Sequence, residues 1–68
     1  MKNNLQYLIK WCHSMGYLPR IGHNIISIRY KGKCKIENIT HINNMNKRSL
    51  LIRLKEIEQY MMEDKYEK

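Results

Sequence analysis

The sequence predicts a small α+β domain: a helix, a β-hairpin and a second helix, with both helices packed on one face of the hairpin. Three observations carry this expectation. Apolar residues recur at helical spacing near both ends of the chain. Between them lies a stretch rich in β-branched residues, folded about Lys31-Gly32-Lys33. The chain has 68 residues, the length of one domain with a thin core.

The first helix is expected over residues 3–15. Leu5, Leu8, Ile9, Cys12 and Met15 form its apolar stripe, and Asn3 or Asn4 caps its start. Gly16 suits a left-handed C-terminal position, with Tyr17 and Leu18 folding back and Pro19 blocking continuation. Tyr7 and Trp11 lie four residues apart beside the stripe, which widens the apolar sector beyond a single core contact.

The hairpin is expected over residues 23–39. A two-residue loop of Lys31 and Gly32 puts Ile28 opposite Lys35 and Ile26 opposite Glu37, mixing apolar and charged residues on a face. A three-residue loop pairs Tyr30 with Cys34, Ile28 with Ile36 and Ile26 with Asn38. Because it sorts apolar from polar, the three-residue register is the expected one. Cys34 then faces the core beside Tyr30. The other face carries Arg29, Lys31, Lys33 and Lys35, with Arg29 directly opposed to Lys35. Such repulsion destabilises a sheet, and an anion would relieve it.

The last helix is expected over residues 45–63, with Leu50, Leu51, Leu54, Ile57 and Met61 as its stripe. Asn44 or Asn46 caps it, and Ile42 is the apolar residue just before it. Residues 39–43 fit either an extension of the second strand or an early start of this helix. Residues 64–68 are expected to be a frayed acidic tail.

Charge is divided along the chain. Residues 1–55 hold eleven Lys and Arg and one acid, Glu37; residues 56–68 hold five acids and two lysines. A net +10 is thus followed by −3, giving the overall +7. The last helix opens on Lys47 and Arg48 and closes on Glu56, Glu58, Glu63 and Asp64. A helix dipole prefers the reverse, and each misplaced charge costs about 0.3–1 kcal/mol. Phosphate at the helix start would compensate, held by Asn46, Lys47, Arg48 and Ser49 with Arg53 nearby.

The order of elements, and the basic start of the last helix, resemble a reduced double-stranded RNA-binding domain, which runs helix, three strands, helix. The resemblance implies a further strand over Tyr17 to Ile21, and phosphate contacts at Lys47 and Arg48. The family's run of lysines is not present there.

Catalytic chemistry is not expected. The isolated Gly16, Gly22 and Gly32 form no phosphate-cradling loop. With Glu37 the sole acid in the basic body, no carboxylate pair exists there, and Cys34 has no orienting partner that the sequence identifies. Cys12, His13, His23, Cys34 and His41 lack the short spacings of a zinc motif, so no metal or cofactor is expected. Two cysteines make no disulfide framework, and no apolar run is long enough to span a membrane. A cytoplasmic location follows from this reading.

The function expected is that of a small non-enzymatic nucleic-acid-binding regulatory protein. The hairpin (Arg29, Lys31, Lys33, Lys35) and the helix start (Asn46, Lys47, Arg48, Ser49, Arg53) would contact DNA or RNA phosphates. The alternative is an adaptor or inhibitor that binds a larger protein through Tyr7, Trp11, Tyr60, Met61 and Met62. A homodimer is expected in either case, because the core is thin and both aromatic edges look unused.

Overall fold

The computed structural model describes residues 3–63. Six elements follow in order: α1 (Asn4–Met15), β1 (Leu18–Ile21), β2 (Ile25–Tyr30), β3 (Lys33–Asn38), α2 (Ile39–Asn43) and α3 (Lys47–Met62). The three strands form one antiparallel sheet in the order β1-β2-β3, and the helices pack on one of its faces. The expected α+β architecture is present, with a third strand and a short helix added. The tail expected over residues 64–68 lies outside the described residues.

Local chemistry sets each boundary. The Asn3 side chain accepts a hydrogen bond from the Gln6 N–H and caps α1. At the other end Gly16 has φ of 82°. The Gly16 N–H donates to His13 O and the Tyr17 N–H to Cys12 O, at 3.2 and 2.8 Å. This double closure turns the chain directly into β1 and drops Tyr17 into the core. The chain after Tyr17 therefore continues as a strand, Leu18–Ile21. Pro19 is tolerated because β1 is an edge strand.

The β2–β3 register corrects the sequence expectation. Lys31 and Gly32, both at positive φ (49° and 82°), make a two-residue turn of the kind that matches strand twist. Tyr30 pairs with Lys33, Arg29 with Cys34, Ile28 with Lys35 and Ile26 with Glu37. Cys34 is consequently exposed and does not face the core, and Arg29 and Lys35 are not opposed. The strand face under the helices holds Ile26, Ile28 and Tyr30 from β2, but Lys33, Lys35 and Glu37 from β3.

The core comprises Leu8 and Cys12 of α1, Tyr17, Ile26 and Ile28 of β2, Ile42 of α2, and Leu50, Leu54, Ile57 and Met61 of α3. Each large aliphatic side chain so buried contributes about 1.5–3 kcal/mol relative to exposure. Leu51, expected in the α3 stripe, is exposed instead. Leu50, Leu54, Ile57 and Met61 fill the three-and-four spacing, and position 51 falls outside it. Asn38 caps α2 by accepting from the His41 N–H, so residues 39–43 form a helix of their own.

Three side-chain hydrogen bonds fasten the helical layer. The buried Asn4 side chain donates to Ile42 O at 2.9 Å and to Met45 O at 2.7 Å, tying the start of α1 to the α2–α3 turn. The Asn43 side chain accepts from the Leu5 N–H in the same corner.

Candidate nucleic-acid interface

The corrected register divides the basic residues of the hairpin. Lys33 and Lys35 project toward α3. Lys33 Nζ donates to the Tyr60 carbonyl at 3.0 Å and to the Glu63 carbonyl. It thereby satisfies the last carbonyls of α3 and lends a positive charge to the negative end of its dipole. Lys33 Nζ and Lys35 Nζ stand 5.7 and 5.8 Å from the Tyr60 ring centroid, whose hydroxyl approaches Cys34 O at 3.5 Å. These two lysines help to attach the last helix.

Arg53 is likewise engaged. Its Nη1 lies 3.0 Å from Glu37 Oε1 and its Nε lies 3.6 Å from Glu56 Oε1. It neutralises the buried Glu37 carboxylate and is unavailable as a phosphate clamp. Met61 is in the core, and Trp11 is half-buried with its ring edge-on to Tyr17 at 5.4 Å. Tyr7, Tyr60 and Met62 remain exposed, but Tyr60 covers lysines of its own chain. The five residues expected as a partner surface do not form one patch.

At the start of α3 the Asn46 side chain accepts from the Ser49 N–H at 2.8 Å, and Asn46 O accepts from the Leu50 N–H. Asn46 is therefore the cap. Lys47 and Arg48 are exposed, with no acid in the first turn. Lys47 lines an open concavity of about 390 Å³ with Asn3, Asn4, Tyr7 and Leu50. On the other flank Asn46, Ser49 and Arg53 border a second one with His41 and Glu56. The fold thus brings Tyr7 beside Lys47, 40 residues apart in sequence.

Arg20 and Arg29 lie on the sheet face turned away from the helices, with Lys31 in the turn beside them. Leu18 of β1, Arg29 of β2 and Cys34 of β3 form one cross-strand row; Arg20, Ser27 and Ile36 form the next. Arg20, Arg29 and Lys31 line an open concavity of about 430 Å³ with Leu18, Pro19, Tyr30 and Gly32, and no acid borders it. Lys31 Nζ stands 5.4 Å from the Tyr30 ring. Sequence reasoning missed Arg20. Its signal was the alternation Leu18, Pro19, Arg20, Ile21, which places Leu18 and Arg20 on one face once the segment is taken as a strand.

The two basic regions are well separated. Lys33 marks the C-terminal end of α3, whereas Lys47 and Arg48 open it. A helix of 16 residues spans about 24 Å. Among the described residues no three His, Cys, Asp or Glu side chains come together as a metal site, and no helix is long and apolar enough to cross a membrane. No protein-family model, no curated protein and no solved structure matches this chain.

Proposed function

We propose that this protein is a small nucleic-acid-binding regulatory protein that holds phosphates with exposed basic residues at the start of α3 and on the outer face of the sheet. One observation supports this most. Two of the acids, Glu37 and Glu56, are both drawn to Arg53, and Arg20, Arg29, Lys31, Lys47 and Arg48 are exposed with no ion pair among the described residues. A positive excess displayed this way is the electrostatic footprint of a polyanion site. Lys47 and Arg48 add side-chain charge to the positive end of a helix dipole, where a phosphate is stabilised twice over.

The test is fluorescence anisotropy of labelled duplex DNA and single-stranded RNA, titrated at about 50 and 200 mM salt. Binding that survives the higher salt, and whose salt slope falls by about one for each of Lys47→Glu and Arg48→Glu, supports the proposal. Absence of binding at the lower salt rejects it. Gel analysis of the recovered probes reads strand scission, which would overturn the non-enzymatic part of the proposal.

A further inference from the structure

We propose that the open face of the sheet is a track for single-stranded nucleic acid. A phosphate sits among Arg20, Arg29 and Lys31, and unstacked bases lie on Leu18 and Ile36. The inference rests on the nucleic-acid reading above and assigns this face a ligand class.

The first argument is composition by position. Arginine and aliphatic side chains alternate across the face: Leu18 neighbours Arg29, and Arg20 shares a row with Ile36. Leu18 is 67% exposed and Ile36 59%. Large apolar side chains left open among arginines gain little from a phosphate-lined duplex wall. They gain from the flat faces of bases that are not stacked in a helix. No acid of the described strands lies on this face, since their single acid, Glu37, is buried on the other one.

Shape is the second argument. Three strands at sheet spacing make a surface about 10 Å across. That is too broad for a minor groove of about 6 Å. A flat face with a basic concavity at one corner suits an extended strand laid over it. Arg20 and Arg29 are diagonal neighbours on adjacent strands, about 7–8 Å apart at the backbone, so both reach one phosphate.

Third, Lys31 occupies a left-handed position, φ 49°, where asparagine or glycine is favoured. The turn itself does not call for a lysine. Its Nζ is held over the Tyr30 ring at the rim of the concavity, where it adds the third charge.

The experiment compares a uridine 12-mer, a blunt duplex of equal length and a polyglutamate peptide as ligands of the full chain. The wild type is set beside Arg20→Glu, Leu18→Ser and Lys31→Asn, with circular dichroism to confirm folding. Lys31→Asn keeps a residue suited to the turn, so a folded variant is secured. The expected result is tighter binding of the single strand than of the duplex. Affinity for the single strand should fall about ten-fold in Arg20→Glu and about five-fold in Leu18→Ser, with a measurable loss in Lys31→Asn. Single-strand binding that ignores all three substitutions but is lost in Lys47→Glu overturns this inference and leaves the nucleic-acid reading standing. Binding of polyglutamate as tight as that of the oligonucleotide, with Leu18→Ser neutral, also overturns it in favour of an acidic protein partner. If neither nucleic acid binds the wild type, both readings fall.

Discussion

The Arg53 guanidinium holds the Glu37 carboxylate across the contact between α3 and β3, with Nη1 3.0 Å from one oxygen and 3.3 Å from the other. The Glu37 side chain is only 4% exposed and that of Arg53 29%. Removing the arginine strands a charge under the helix. Arg53→Ala is expected to destabilise the domain by about 2–4 kcal/mol, a little below the range for a fully buried pair. A chain of this length has only about 3–10 kcal/mol in total. Urea denaturation measures the loss, and Arg53→Ala with Glu37→Gln should recover part of it. A single variant as stable as Lys47→Ala would show that the pair has no structural role. Weakened ligand binding in Arg53 variants would accordingly reflect the fold.

Asn4 joins α1 to the α2–α3 turn with two hydrogen bonds from one buried amide. Asn4→Ala removes both bonds, leaving the Ile42 carbonyl to the Met45 N–H alone and the Met45 carbonyl without the Asn4 donor. The expected cost is about 1–3 kcal/mol. Because Lys47 follows this turn closely, amide exchange in the first turn of α3 should accelerate more than in the sheet. Uniform acceleration across both would mean that the corner has no local role.

The helices were legible because α1 and α3 announce themselves by spacing and caps: Asn3, Gly16 and Asn46 each act as their residue type suggests. The sheet was less so. Sorting apolar from polar across the hairpin presumes that a buried strand face is apolar. Here Lys33 and Lys35 cover the core with their stems, and their charges are spent on α3 carbonyls and the Tyr60 ring. Glu37 is buried because Arg53, 16 residues away, reaches it. Such long-range pairings leave no periodic trace. For the same reason the basic site was only half visible: Lys47, Arg48, Arg29 and Lys31 are exposed as expected, while Arg20 depended on recognising β1.

Burial makes the fold sensitive to alkali. The Cys12 thiol is pushed up from 9.0 to about 11, and burial, then the nearby Glu58, Tyr30 and Cys12, push the Tyr17 hydroxyl above 10.0. Both groups stay neutral in the folded chain and ionise at their ordinary values in the unfolded one. Between those values the folded state binds more protons, so stability falls as pH rises. The contribution is whole below about pH 9; for Cys12 about 2–3 kcal/mol is lost by pH 11. The urea midpoint should therefore drop between pH 9 and 10.5. Tyr17→Phe should lessen the drop above pH 10 and be neutral or stabilising at pH 7, because the Tyr17 hydroxyl is buried with no hydrogen-bond partner among the described residues. An unchanged midpoint up to pH 10.5 would contradict this burial.

The two thiols should differ sharply in reactivity, and the difference tests the strand register directly. Cys34 lies on the open face opposite Arg29, whereas Cys12 is 0% exposed. An aromatic disulfide reagent such as Ellman's should modify one thiol at once. The other should react at least about a hundred-fold more slowly, limited by opening of the core. Cys34→Ser should abolish the fast phase and leave the slow one. In the alternative register, with a three-residue turn, Cys34 would face inward beside Tyr30 and both thiols would be protected. Two slow phases in the wild type would therefore reject the pairing of Arg29 with Cys34, and with it the placing of Lys33 and Lys35 beneath α3.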